Sequence, residues 1–276
     1  MTCLIFGING YIGKFLSEFF ICEGINVIGV YNRNIPKSNN LEIISKNEVF
    51  KLNPKTVDYI VYAAGNFSST YSELIEINTH YLNRISKYFK ESKLLFISST
   101  NVYGIHNSII DEFSGFNSPT IYGLAKLSGE FIVKNHPQNA ILRLTYVYGP
   151  NLNNGSFLPN IINQAIQSKR ILLFGKGERE QNYINIFDVL DLCKKILKKE
   201  SNRIYLGVGQ QSYSNKYIAK CICSILKDVK IEYTGNETGY SSYYNGNYSY
   251  KYLDWIPKVS ISHGIKEMIN ASTNLW

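Results

Sequence analysis

The chain has 276 residues, of which 45% are hydrophobic and 18% are charged, a composition typical of globular proteins. Its net charge of +8 could attract nucleic acid, but the lysines are scattered and the aromatic residues form no repeating pattern, so we expect a solvated basic surface instead. Because the sequence has no apolar run of membrane-spanning length, no evident signal peptide and no Cys or His residues with metal-ligand spacing, we expect a cytoplasmic protein without a membrane span or metal site.

The first predicted element is a short apolar strand, residues 2–6, which leads into the sequence Gly-Ile-Asn-Gly-Tyr-Ile-Gly. A helix to about Cys22 and a second strand, Val27–Tyr31, follow it, which together predict a βαβ unit. In such a unit the glycines allow a tight turn, the approach of a pyrophosphate and close packing of the helix on the sheet. The spacing GxxGxxG therefore predicts a dinucleotide site, formed by Gly7, Gly10, Tyr11, Ile12 and Gly13.

The residues after the second strand bear on the choice of dinucleotide. An NAD site usually has an acidic residue here, which binds the ribose hydroxyls. This chain has Asn32 and Arg33 instead, and a guanidinium can make a bidentate contact with a 2′-phosphate. We therefore predict that NADP(H) is preferred and that NAD(H) is possible, although Arg33 could also be an ordinary surface residue.

Two buried strands are predicted in the middle of the chain, after a polar segment, residues 34–56, that offers only a weak strand near Leu41–Ser45. The first spans Asp58–Gly65, a long helix is predicted at about Tyr71–Glu91, and the second strand spans Leu94–Thr100. The first strand ends in small residues, over which a cofactor could lie: Ala63, Ala64 and Gly65.

Tyr122 and Lys126 are four residues apart in a predicted helix and therefore share one face. A phenol has a pKa of about 10, and an ammonium group one turn away is expected to lower the pKa of Tyr122 towards the working range. Such a pair can exchange a proton with an alcohol or sugar oxygen while a hydride moves at the attached carbon. The spacing alone also fits two residues that simply decorate a helix.

The ordered motifs of the chain resemble those of the extended short-chain dehydrogenase/reductases, in particular the NAD-dependent epimerase/dehydratase group that acts on nucleotide sugars. In chain order they are the glycine motif at Gly7, Ala63-Ala64-Gly65, Asn78, Ser98–Gly104, Tyr122-x-x-x-Lys126, Arg143–Pro150, Gln181–Asp188 and Leu253–Pro257. The resemblance implies an α/β fold with a Rossmann-type, doubly wound parallel sheet and a smaller C-terminal α/β lobe for the substrate. We place the two domains at residues 1–150 and 151–276, with some chain crossing back to the first.

The resemblance also implies the roles of individual residues. Tyr122 would be the acid/base, Lys126 would bind the nicotinamide ribose, and Ser99 would donate a hydrogen bond to the reacting oxygen. Further contacts with the cofactor are implied for Asn78, Ser98 and Thr145. A nucleotide-diphosphate sugar is the implied substrate and a homodimer the implied assembly.

Departures from the family's pattern narrow the activity. Thr100 and Asn101 stand where 4,6-dehydratases have an Asp-Glu pair, and neither can act as a general base, so a dehydratase is not expected. Gln181 replaces an arginine that contacts the nucleotide phosphate, a role that Arg179 could assume. The predicted substrate residues are Ser99, Thr100, Tyr122, Tyr146, Phe157, Arg179 and Gln181.

We therefore predict an NADPH-dependent reductase of a 4-keto or 4-keto-6-deoxy nucleotide sugar, used in polysaccharide biosynthesis. The alternative is a 4-epimerase with tightly bound NAD, which oxidises and reduces the same carbon. A non-catalytic dinucleotide-binding protein is a third reading, but such proteins typically lose the Tyr or the Lys, and this chain has both.

Overall fold

Parallel strands form the central layer of the protein, and helices pack on both of its faces. The computed structural model describes residues 1–35, 41–65, 69–199 and 201–273; part of the predicted polar segment, residues 36–40, lies outside these ranges. The strands are β1 (Thr2–Phe6), β2 (Asn26–Tyr31), β3 (Glu42–Ser45), β4 (Tyr59–Tyr62), β5 (Lys93–Ser99), β6 (Asn139–Leu144), β7 (Tyr146–Tyr148), β8 (Arg170–Phe174), β9 (Glu180–Asn185), β10 (Arg203–Gly207), β11 (Ser212–Ser214) and β12 (Lys230–Thr234). The helices are α1 (Tyr11–Cys22), α2 (Tyr71–Ile75), α3 (Leu82–Tyr88), α4 (Ile121–Val133), α5 (Phe157–Ser168), α6 (Ile186–Lys198), α7 (Asn215–Ile225), α8 (Asn247–Leu253) and α9 (Ile261–Thr273).

The main sheet has the strand order β10-β6-β5-β4-β1-β2-β3, and the paired strands are parallel. Its central strands are nearly continuous apolar runs because both of their faces are buried under helices. Leu16 and Phe20 of α1 fill one face, while Leu82 of α3 and Val133 of α4 fill the other. The predicted Rossmann-type, doubly wound sheet is thus confirmed. The order in which the strands are added reverses between β1 and β4, and ligands of such sheets bind beside this switch point.

The smaller lobe is built on a three-stranded sheet, β11-β9-β7, and a two-stranded sheet, β12-β8. Helices α5, α7 and α9 enclose a separate apolar core with these strands, which includes Ile161, Ile218 and Ile265. The chain does not stay in this lobe, because β10 pairs with β6 of the main sheet and α6 packs against β5. Residues beyond 151 therefore contribute to the smaller lobe and to the lobe that contains the main sheet.

The helix predicted at Tyr71–Glu91 is interrupted. Between α2 and α3, residues Glu76–Tyr81 form a π-helical segment, and α3 ends at Tyr88. A π-helical segment widens the helix locally and is frequent at functional sites. This one contains Asn78, which is fully buried.

The next two findings, on membrane-spanning helices and on metal-binding groups, apply to the described residues only. In those residues, no helix is both long enough and apolar enough to cross a bilayer. The same residues contain no group of three or more His, Cys, Asp or Glu side chains that could hold a metal ion.

Candidate active site

The turn between β1 and α1 lies at the carboxyl edge of the main sheet, beside the switch point. Gly7 has a φ of +82°, a left-handed conformation that favours glycine, and a Cβ on Gly13 would overlap the carbonyl oxygen of Gly7. Gly10 precedes α1 without a side-chain cap, and the first turn of this helix has no acidic residue. The N–H groups of Tyr11, Ile12 and Gly13 therefore have no intrahelical partner and suit an anion such as a pyrophosphate.

Arg33 lies beyond the end of β2 and forms an ion pair with Glu73 of α2. Its side chain is 70% exposed and that of Glu73 is 37% exposed, so the pair is accessible to a ligand. Glu73 also completes the capping box of α2, since it accepts a hydrogen bond from the backbone of Thr70 at 3.0 Å. Asn32, the other residue predicted here, is exposed.

Small residues follow β4, as the sequence predicted, and they adjoin Asn78 and Lys126. Gly65 has a φ of +106°, and a Cβ at this position would lie 3.3 Å from Asn78 Nδ2 and 3.4 Å from Lys126 Nζ. Asn78 Nδ2 donates to the carbonyl oxygen of Leu74 at 2.9 Å. Its Oδ1 is buried and has no hydrogen-bond partner, a costly state that a ligand donor would relieve.

Lys126 is held below the sheet edge by two backbone carbonyls. Its Nζ donates to the oxygen of Ala64 at 2.9 Å and to that of Ile97 at 3.0 Å. Burial lowers the pKa of the Lys126 ammonium to about 7, and the charge of Glu130 opposes this shift only in part.

Tyr122 lies in the first turn of α4, whose N-terminus is capped by the Thr120 hydroxyl. Burial raises the pKa of Tyr122 to about 12. Desolvation penalises the phenolate, and the ammonium of Lys126, which lies 6.0 Å from the centre of the Tyr122 ring, donates to the carbonyls of Ala64 and Ile97. A lowering of the Tyr122 pKa by Lys126 stays a prediction.

Ser98 and Ser99 are consecutive in β5, so their side chains point to opposite faces of the sheet. The Ser98 hydroxyl donates to Glu130 Oε1 at 2.5 Å, and Glu130 also forms a buried ion pair with Arg143, with an Nη2–Oε2 distance of 2.6 Å. The hydroxyl of Ser98 is therefore part of an internal network, and the predicted contact of Ser98 with the cofactor stays a prediction.

Ser99 ends β5 and is 8% exposed. Its Oγ accepts hydrogen bonds from the backbone N–H of Asn101 at 3.2 Å and from Asn101 Nδ2 at 3.0 Å. The next residue, Thr100, is buried, and its side chain lies next to that of Tyr244. Backbone hydrogen bonds join Ile110 to Tyr243 (2.9 Å) and to Asn245 (2.8 Å), the residues on either side of Tyr244.

Three of the predicted substrate residues, Tyr146, Phe157 and Gln181, line one cleft between β7, α5 and β9. Gln181 is buried, and its Nε2 donates to Asn215 Oδ1 at 2.8 Å. Arg179 lies outside this cleft, with its Nε 3.1 Å from the carbonyl oxygen of Tyr240.

Thr145, predicted to contact the cofactor, uses its hydroxyl within the protein. It donates to the carbonyl oxygen of Asn182 at 3.0 Å, which ties the end of β6 to β9. Its side chain thus joins the two lobes, which the resemblance did not indicate. The hydroxyl of Tyr11 has a similar bond, to the carbonyl oxygen of Pro150 at 3.0 Å.

The sequence analysis missed Glu73 and Tyr244. Glu73 occurs in a capping-box pattern, Thr-x-x-Glu, which explains its place on the helix but not its pairing with Arg33. Tyr244 belongs to a Tyr- and Asn-rich stretch far along the chain from Thr100. No periodicity or spacing connects the two, because the contact depends on how the lobes pack.

The site has features that fit a nicotinamide dinucleotide. The glycine turn packs so closely that a Cβ at Gly7 would meet the carbonyl of Ala63 and a Cβ at Gly13 that of Gly7, and unpartnered N–H groups lie at the start of α1. At the other end, Asn78 has an unpartnered buried oxygen beside Lys126. When bound, such a group supplies reversible hydride exchange.

A doubly wound sheet with this glycine turn, and with Ser, Tyr and Lys at its carboxyl edge, defines a protein of the short-chain dehydrogenase/reductase type. Comparison with protein families gives the same class. Residues 3–209 match the model of the NAD dependent epimerase/dehydratase family, and the chain therefore belongs to this family of enzymes.

Relatives with curated names have several activities. A dTDP-D-glucose 4,6-dehydratase of Dictyostelium discoideum is 26% identical over 245 residues, which cover 76% of this chain and 55% of that protein. The chain thus spans about half the length of that relative. A UDP-glucuronate 4-epimerase of Thermodesulfobacterium geofontis is 23% identical over 307 residues, which cover 98% and 95% of the two chains.

Solved structures with the same fold match nearly the whole chain. The dTDP-glucose 4,6-dehydratase of Bacillus anthracis in complex with NAD has a TM-score of 0.86 and 20% identity, covering 99% of this chain and 97% of that one. The UDP-glucuronic acid 4-epimerase of Bacillus cereus, in complex with UDP-glucuronic acid and NAD, has a TM-score of 0.84 and 20% identity, with full coverage of both. At this identity the likeness establishes the fold.

Proposed function

We propose that the protein is an NADPH-dependent reductase that converts the 4-keto group of a nucleotide sugar, such as a 4-keto-6-deoxyhexose, to a hydroxyl. The observation that carries this proposal is the protonation state of Tyr122, which lies with Ser99 and Lys126 at the carboxyl edge of the sheet. Tyr122 is a phenol at neutral pH, and burial raises its pKa further above the ordinary value, to about 12. A phenol can give a proton to the oxygen of a carbonyl that is being reduced, which is the reductive direction.

In this mechanism each side chain acts on one atom. Tyr122 donates its proton to the C4 oxygen of the sugar as negative charge develops there. The Ser99 hydroxyl donates a hydrogen bond to the same oxygen and stabilises that charge. Lys126 binds the nicotinamide ribose, with Ala64 and Ile97 carbonyls orienting its ammonium.

The residues after Ser99 argue against dehydration as the reaction. Elimination of water needs a general acid and base next to the catalytic hydroxyl, as the Asp-Glu pair of the resembling dehydratases would supply. Thr100 lies next to Tyr244, and Asn101 is hydrogen-bonded to Ser99. Neither side chain has an ionisable group to remove a proton from the sugar.

We propose that the sugar and the nucleotide bind against Tyr146, Phe157 and Gln181, which lie close together. Arg179 would contact the diphosphate. The arginine that has this role in the resembling family is replaced by Gln181 in this chain. A nucleotide sugar is also the ligand in structures of relatives, such as the Bacillus cereus epimerase with UDP-glucuronic acid. We place the reaction in the cytoplasm, as a step towards a surface polysaccharide.

The proposal is tested by mixing the purified protein with NADPH or NADH and a panel of 4-keto nucleotide sugars, and by following the loss of nicotinamide absorbance. We expect stoichiometric loss with one sugar. Tyr122→Phe should lose most turnover, by about 100-fold or more, yet still bind cofactor, because only the proton donor is removed. If ordinary nucleotide hexoses interconvert instead, without net use of cofactor, the protein is a 4-epimerase, the activity named for its Thermodesulfobacterium relative.

A further inference from the structure

Asn101 contacts Ser99 twice, once through its backbone and once through its side chain. The backbone N–H lies 3.2 Å and Nδ2 lies 3.0 Å from Ser99 Oγ. The first bond is what a serine before a short 3-10 turn would be expected to make, since Ser99 caps the segment Thr100–Val102. The second bond is not needed for capping and therefore calls for another explanation.

A serine hydroxyl has one proton to donate and two lone pairs that accept. At Ser99 both lone pairs face N–H donors of Asn101, so the proton is the only hydrogen-bonding capacity left for a ligand. We propose that Asn101 is a positioning residue that makes Ser99 an obligate hydrogen-bond donor towards the substrate oxygen. Resting on the function proposed above, this inference fits the site to a substrate oxygen that only accepts, the carbonyl oxygen of a keto sugar.

Packing against α4 fixes the position of Asn101. Its carbonyl oxygen is so close to Gly123 that a Cβ there would overlap it, and Gly123 directly follows Tyr122. The same carbonyl accepts a hydrogen bond from the N–H of Gly104 at 3.3 Å. The residue that directs the Ser99 hydroxyl is thus in contact with the turn that carries Tyr122, so the two proposed donors are positioned by one packed unit.

Two hydrogen-bond donors directed at one oxygen discriminate between a carbonyl oxygen and a hydroxyl oxygen. A carbonyl oxygen has two lone pairs and no proton, so it can accept from Ser99 and from the Tyr122 phenol together. A sugar hydroxyl could accept both bonds only by directing its own proton elsewhere. Asn101 therefore favours the ketone over the alcohol, and it stabilises the negative charge that develops as the ketone is reduced.

The test is a double-mutant cycle between Asn101→Asp and Ser99→Ala in the keto-sugar assay. Asp has the shape of Asn but, when ionised, only accepts, so it draws the Ser99 proton inward. We expect N101D to lower kcat by about 100-fold, the usual effect of losing one such donor, with KM changed by less than about threefold. In the S99A background, N101D should cost less than about threefold more, because Asn101 acts through Ser99.

The pH profile provides a second readout. A protonated carboxyl at residue 101 can donate again, so the kcat of N101D relative to wild type should rise as the pH falls towards the ordinary carboxyl pKa of about 4. Asn135→Asp, at an exposed position after α4, adds the same charge and should keep wild-type kcat.

Three results would overturn the inference. They are full activity of N101D, an equal loss from N101D with and without Ser99, and a crystal structure of the cofactor complex in which Asn101 Nδ2 lies beyond hydrogen-bond reach of Ser99 Oγ. If the wild type reduces no keto sugar but interconverts nucleotide hexoses, the proposed function has failed, and the same cycle in that assay decides the role of Asn101. The crystal structure decides it in the absence of any turnover.

Discussion

Lys126 shows how one buried side chain links stability to pH. Its pKa is lowered from an ordinary 10.5 to about 7 by desolvation. The folded protein therefore releases this proton near pH 7, whereas the unfolded chain keeps it to about 10.5. Across that window the unfolded state binds more protons, so the contribution of Lys126 to the free energy of unfolding rises with pH.

The expected outcome concerns wild type and Lys126→Met without cofactor. Wild type should gain stability relative to the variant between pH 7 and pH 9.5, as measured by urea unfolding at each pH. Lys134→Met, at an exposed position just after the same helix, should differ from wild type by the same amount at both pH values. A pH-independent difference for Lys126→Met would mean that its ammonium stays charged in the folded protein.

Arg33 and Glu73 provide a residue-scale test of cofactor choice. If Arg33 binds the 2′-phosphate, Arg33→Ala should weaken NADPH about 10- to 100-fold and NADH little, as charged hydrogen bonds typically contribute about 1.5–3 kcal/mol. Glu73 competes for the same guanidinium. Glu73→Gln should therefore tighten NADPH, by up to about fivefold, since exposed ion pairs contribute at most about 1 kcal/mol.

Dissociation constants for both cofactors can be measured by fluorescence titration. Arg84→Ala, which removes an exposed arginine that packs on Phe50, is the matched control and should change neither constant. Equal weakening of NADPH and NADH by Arg33→Ala would remove the 2′-phosphate from the explanation.

At the scale of elements, α4 has two different faces. Tyr122 and Lys126 lie towards the sheet edge, whereas Ile121, Leu124 and Phe131 are about half exposed on the outer face. These three residues follow the helical repeat and form an apolar stripe, which is unusual on a surface without a partner. We propose that this stripe is the homodimer interface.

If this stripe is a dimer interface, Leu124→Glu combined with Phe131→Glu should yield a monomer, because two carboxylates would be buried opposite their copies. Sedimentation velocity at micromolar concentrations measures the change. Leu172→Glu combined with Phe174→Glu places the same charges on exposed apolar residues of β8 and should leave the dimer intact. A wild type that sediments as a monomer would rule out this interface.

The sequence predicted the strands and helices of residues 1–150 well, because the patterns that indicate them are local. Apolar runs, the glycine turn and the Tyr122–Lys126 spacing each lie within a few residues. The π-helical segment around Asn78 was predicted as ordinary helix, because it depends on packing rather than on the residues' own preferences. The face of β5 to which Ser98 turns likewise depends on where Glu130 lies.

At the scale of the whole molecule, prediction was limited by contacts between distant parts of the chain. The fold, its class and most positions of the proposed site followed from ordered motifs. The hydrogen bond from Thr145 to Asn182 and the contact of Thr100 with Tyr244 could not be predicted from those motifs. Both contacts join the lobes, and their geometry is decided only when the lobes pack together.

The contact between Thr100 and Tyr244 has a consequence for the order of synthesis. A nascent chain that has reached β6 already carries the glycine turn, Tyr122 and Lys126, but not Tyr244. It also lacks α6, which packs on α1 and β5, and β10, which pairs with β6. The proposed dinucleotide and sugar sites are therefore both completed only after the C-terminal half of the chain has been made.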